Sequence, residues 1–147
     1  MTMTRSGFTL MEILIAIAIL GVLAAAVGPA IFNYLAGARV DTAKMELRTI
    51  KSAIDKYELD MGELPNRLKD LTTRPTDPEK RRKWMRGAPP KKGLGYLVKE
   101  VKRDPWGTPY VYRPTEKYKG YEYTLFSYGP DKKRAKPVDR IHVWDLD

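Results

Sequence analysis

The sequence predicts an α+β protein: one long amino-terminal helix, hydrophobic in its first half, packed through its second half against a small three-stranded antiparallel sheet. Three observations carry this. Ile13–Ala38 is an uncharged run of 26 residues, and as a helix it reaches about 39 Å at 1.5 Å per residue, enough to cross a bilayer. Val40, Ala43, Leu47, Ile50, Ile54, Tyr57 and Met61 then recur at spacings of three and four, which makes one buried helical face. Near the carboxyl end, Tyr110–Tyr112, Tyr121–Ser127 and Arg140–Trp144 are rich in aromatic and β-branched residues and are separated by turn formers.

Composition divides the chain at the same place. The 147 residues hold 27 Lys and Arg against 18 Asp and Glu, a net charge of +9. Only Arg5 and Glu12 lie before Arg39, so the whole surplus belongs to Arg39–Asp147. That stretch is long enough for one modest core, and 43% hydrophobic and 10% aromatic content exclude a disordered chain. A large multidomain enzyme is excluded by length. The absence of cysteine excludes disulfides, thiolate zinc sites and iron–sulfur clusters, and leaves an oxygen-ligated metal open.

The amino terminus does not read as an ordinary secretory signal, which has a shorter apolar core and a cleavage site on its far side. Here a short polar start, Met1–Gly7, carries one cation, Arg5, and Glu12 lies inside the edge of the apolar run. A carboxylate facing hydrocarbon costs several kcal/mol or becomes protonated, so it needs a cation. Cutting after Gly7 would create an ammonium on Phe8 about one helical turn from Glu12, in the same chain or in a neighbour. The neighbour geometry builds assemblies. Otherwise Glu12 is solvated at the headgroup level of a plain anchor. Gly28-Pro29 interrupts the apolar run and predicts a kink or a locally melted stretch.

Gly7-Phe8-Thr9-Leu10-Met11-Glu12 followed by the apolar run resembles the type III signal of type IV pilins and pseudopilins. The resemblance implies a leader over 1–7, cut between Gly7 and Phe8 by a prepilin peptidase that N-methylates Phe8. It also implies that Glu12 is the assembly carboxylate, paired with a Phe8 amine. Residues 8–38 would then be the transmembrane and assembly half of the helix. Residues 39–147 would be a periplasmic pilin-like domain that includes the amphipathic half.

The helix is expected from about Thr9 to Met61, stopped by Gly62 and kept from restarting by Pro65. Pro65–Gly95 is rich in Pro, Gly and cations; Leu68 and Leu71 suggest a short helical turn, and Trp84 a packing anchor. The basic run Lys80–Lys83 invites a nucleic-acid reading. A solvated loop is favoured over it, because no aromatic platform accompanies the run beyond Trp84. The three strands fit a meander with loops at Pro114–Gly120 and Tyr128–Asp139, one sheet face lying on the helix. His142 falls in the last strand without a nucleophile or base partner, so it reads as structural or exposed and no enzyme is expected.

Tyr57-Glu58-Leu59-Asp60-Met61-Gly62, Leu64-Pro65, Tyr96-Leu97, Asp104-Pro105-Trp106-Gly107 with Pro109-Tyr110 and Tyr112, and then Leu125, Ser127, Gly129 and Asp131 together resemble the major pseudopilins of type II secretion systems over nearly the whole chain. That implies a single-pass inner-membrane protein that polymerises into a periplasmic pseudopilus driving protein export. Its implied partners are copies of itself, minor pseudopilins, the prepilin peptidase, an inner-membrane assembly platform, and lipid before assembly. The alternative is a type IV pilin or a competence-type pseudopilin that handles DNA; a lone anchored domain that never polymerises is the third reading. The family resemblance further implies a calcium ion held by carboxylates of Asp131 and Asp139 and carbonyls of Leu125 and Ser127. The sequence departs from the family there: Lys132, Lys133, Arg134 and Lys136 stand between the two aspartates. Such charge opposes a divalent cation, and pairing of Asp131 or Asp139 with Lys or Arg is the alternative brace.

Overall fold

A computed structural model of the chain describes residues 7–84, 95–97, 100–101 and 103–146. Helix α1 spans Leu10–Met61, 52 residues, and is unbroken at Pro29. Of the two outcomes expected at Gly28-Pro29, a kink or a locally melted stretch, the melted stretch is absent: the ring removes one backbone donor, and the helix continues through it. The chain divides into two units, residues 1–38 and 39–147, at the boundary where the charge begins.

In the first unit every residue from Gly7 to Val27 is exposed, including Leu14, Ile17, Leu20, Val22 and Leu23. Exposure of large aliphatic side chains on all sides is what a helix bathed in lipid or in neighbouring helices requires. The helix that begins here is long and apolar enough to cross a membrane by length and composition.

In the second unit α1 buries Ala43, Leu47, Ile50, Ala53, Ile54, Tyr57 and Met61. Six of these were expected from periodicity; Ala53 is added and Val40 is only half-buried. Gly62 ends the helix with φ +76°, its N–H donating to the Glu58 carbonyl at 2.7 Å, the left-handed cap that glycine adopts without strain. The expected turn forms at Leu68–Leu71 and buries Leu71 completely. Gly95 meets that turn so closely that a Cβ there would lie 2.2 Å from the Leu71 carbonyl oxygen. Trp84 is the expected anchor, edge-on to Tyr57 at 6.1 Å and to Tyr96 at 4.7 Å.

The basic run is not a loop. Helix α2, Pro78–Lys83, contains it, capped by Asp77, whose Oδ1 accepts the N–H of Glu79 and of Lys80 at 2.9 Å each. An Asp N-cap followed by Pro is a helix-start signal, and the density of cations hid it.

Three strands, β1 Val111–Arg113, β2 Thr124–Ser127 and β3 Ile141–His142, form an antiparallel sheet in the order β1-β2-β3. Tyr112 pairs with Leu125 and Phe126 with His142. β1 has the expected length but lies one residue later, and β2 and β3 are shorter than expected, for two local reasons. Lys119 and Gly120 both take positive φ between the paired Tyr118 and Tyr121, a tight hairpin turn that separates Tyr121 from β2. At the other end Val143–Asp145 leaves the sheet as a 3-10 turn, where the Trp144 indole N–H donates to the Tyr123 carbonyl at 3.0 Å and the ring stacks on Tyr121 at 3.9 Å.

Both faces of β2 are buried, whereas a single covered face was expected. Leu125 joins the core made with Leu47, Ile54 and Tyr123. On the other face Phe126 lies 4.8 Å from the His142 ring, itself stacked on Tyr118 at 3.9 Å, with the Arg140 guanidinium 5.0 Å above Phe126. The aromatic side chains of the hairpin thus form a second small layer that closes the sheet.

Candidate functional site: the amino-terminal motif and the loop after β2

The residues singled out in sequence fall in two places. Gly7 and Phe8 are exposed and precede the helix, Phe8 being 85% exposed. Thr9 is the residue before α1, and Glu12 lies in its first turn. Thr9 N–H donates to Glu12 Oε2 at 2.9 Å, the Thr9 hydroxyl donates to the same oxygen at 3.0 Å, and Glu12 N–H donates to the Thr9 hydroxyl at 3.2 Å. This is a capping box: each residue satisfies a donor that the helix start leaves without a partner. It also explains why the helix begins at Leu10 and not at Thr9. The Thr-x-x-Glu spacing is the sequence signal for it.

The box aims the carboxylate of Glu12 at the backbone one residue beyond Phe8. Cleavage after Gly7 would turn the Phe8 nitrogen into an ammonium one residue before the Thr9 N–H that this carboxylate accepts. A positive group at that place suits a carboxylate at the apolar edge.

The second set is not gathered. Leu125 and Ser127 are fully buried in β2. Asp131 and Asp139 are exposed, and among the described residues neither takes part in an ion pair, so the expected pairing with Lys or Arg is absent there. Among the described residues no group of three or more His, Cys, Asp or Glu is placed to hold a metal. The Ser127 hydroxyl donates to Asp104 Oδ2 at 2.7 Å. Arg103, Lys132, Lys133 and Arg134 instead line an open cavity of about 990 Å³ with Asp131 as its single carboxylate. A calcium ion takes six to eight oxygen ligands and disfavours such cationic surroundings, so this donor set does not fit one.

His142 is 5% exposed, and burial pushes its imidazole below its ordinary pKa. It lies inside the aromatic layer, the structural placement expected for it.

A bilayer-length apolar helix with a processing-type motif at its start, continuing into an α+β domain with a three-stranded meander, defines a pilin-like subunit. The chain belongs to the family of type II secretion system (T2SS) protein G, which residues 30–143 match, and residues 2–28 match the prokaryotic N-terminal methylation motif. It is 37% identical over 146 residues to the type II secretion system core protein G of Pseudomonas aeruginosa, covering 96% of each chain. It is 34% identical over 146 residues to the core protein G of Vibrio cholerae, covering 97% of this chain and 93% of that one. Among solved structures it resembles the major pseudopilin from the type 2 secretion system of enterohaemorrhagic Escherichia coli, with a TM-score of 0.56 and 25% identity over 77% of this chain and 92% of that one. The family is one of structural pseudopilin subunits.

Proposed function

We propose that this chain is a pseudopilus subunit. It is cut between Gly7 and Phe8, N-methylated on Phe8, held in the inner membrane by residues 8–38 with its domain outside, and polymerised to drive protein export. It acts by assembly and not by catalysis. The observation that carries this reading is the pairing of a capped, oriented Glu12 with an apolar helix exposed on every side. Packing that surface against other copies in place of lipid supplies the association through van der Waals contact, since lipid tails are already apolar. The contact of Glu12 with a Phe8 ammonium sets the register of one helix on the next. Charge pairs inside apolar surroundings suit that role, because a register that leaves the carboxylate unpaired is strongly disfavoured.

Three measurements test it. In cells with an active prepilin peptidase, the intact mass of the membrane-extracted protein is expected to lack Met1–Gly7 and to gain one methyl group; an uncut chain would overturn the processing. Glu12→Ala is expected to insert normally and to assemble slowly or not at all; normal filament yield would overturn the register role. Deletion of the chain is expected to abolish secretion, whereas loss of twitching or DNA uptake alone would favour the type IV or competence reading.

A further inference from the structure

We infer that the loop after β2 is held by a metal-free clasp, Asp104 to Ser127 to Gly129, in place of a divalent cation. Asp104 is 4% exposed. Its Oδ1 accepts the N–H of Trp106 at 3.1 Å and of Thr108 at 2.7 Å, and its Oδ2 accepts the Ser127 hydroxyl at 2.7 Å. The Ser127 hydroxyl in turn accepts the N–H of Gly129 at 3.0 Å. One buried carboxylate therefore closes the 104–108 corner upon itself and joins it to the end of β2.

Gly129 is where the loop leaves the strand, and it has φ +70°. A Cβ there would lie 3.6 Å from the carbonyl oxygen of Asp139, so the loop's departure and its return meet at this residue. Grip on the Gly129 N–H fixes both ends. Between them three carbonyls accept from the chain itself: Gly129 O from Lys132 N–H at 3.2 Å, Asp131 O from Arg134 N–H at 3.1 Å, and Lys132 O from Ala135 N–H at 3.1 Å. Ala135 is buried and tucks the middle of the loop inward. Every task a bound cation would perform here, joining strand end, loop and corner, is thus done by hydrogen bonds, and those that end on the Asp104 carboxylate are stronger than neutral ones. The cationic side chains are then free to face solvent, since no metal has to be accommodated beside them.

The test uses the full chain in detergent micelles. The rate of tryptic cleavage after Lys132, Lys133 and Arg134 is followed by mass spectrometry after EGTA treatment and after readdition of calcium chloride. The expected result is the same rate in both conditions and no saturable terbium luminescence. Ser127→Ala removes two hydrogen bonds and is expected to raise loop cleavage at least about fivefold, the fold-change of one of them, again without rescue by calcium. Asp104→Asn is expected to raise it at least as much; should that variant fail to fold, Ser127→Ala still decides. Acceleration by EGTA that calcium reverses, saturable terbium binding, or an unchanged rate in Ser127→Ala would overturn the inference.

Discussion

Thr9 and Glu12 cap one another at the start of α1, through the Thr9 N–H on Glu12 Oε2 at 2.9 Å and the Glu12 N–H on the Thr9 hydroxyl at 3.2 Å. The carboxylate proposed above to act in assembly is therefore held in place by its own chain. Loss of an N-cap of this kind costs about 1 kcal/mol. Thr9→Ala is accordingly expected to speed amide hydrogen exchange at Glu12 about fivefold in the uncut chain while leaving membrane insertion intact, because the run Ile13–Ala38 is untouched. Unchanged exchange would show that the box contributes nothing.

Leu47 and Met45 test the amphipathic half of α1. Leu47 is fully buried in the core, whereas Met45, two residues away, is 64% exposed. Leu47→Ala is expected to lower the stability of the 39–147 unit by about 2–5 kcal/mol, and Met45→Ala by no more than about 0.5 kcal/mol. Denaturant unfolding of the full chain, followed by tryptophan fluorescence, reads both. Equal effects would mean that the helical face is assigned wrongly.

What the sequence made legible is what depends on local pattern. Six of the seven periodic positions of the helical face are buried, and Gly62 stops the helix, because spacing and chirality act over a few residues. The amino-terminal motif is equally local. The strand ends were misjudged because they depend on partners far along the chain: Trp144 leaves the sheet to reach the Tyr123 carbonyl, 21 residues away. The clasp was invisible for the same reason, since Asp104 and Ser127 are 23 residues apart and each reads alone as a turn or strand residue. Gly95 shows a third limit. Its proximity to Leu71 is a matter of packing alone, and no sequence pattern marks it.

His142 makes stability depend on pH in a defined direction. Its ring lies between Tyr118 and Phe126, and Nδ1 has no hydrogen-bond partner. Burial lowers its pKa from the ordinary 6.5; Arg140 and Lys119 push the same way, while Asp145 and Glu116 oppose them. The unfolded chain takes up a proton as pH falls through 6.5, and the folded chain does so only at lower pH. Stability from this group is therefore full above 6.5 and is lost as pH falls from 6.5 toward the folded value, with a limiting slope of about 1.4 kcal/mol per pH unit for one proton. His142→Phe preserves the stack on Tyr118 and removes the titration. Unfolding midpoints measured from pH 7.5 down to about 5 are expected to fall more steeply in the natural chain than in His142→Phe. Parallel curves would show that the imidazole titrates alike in both states.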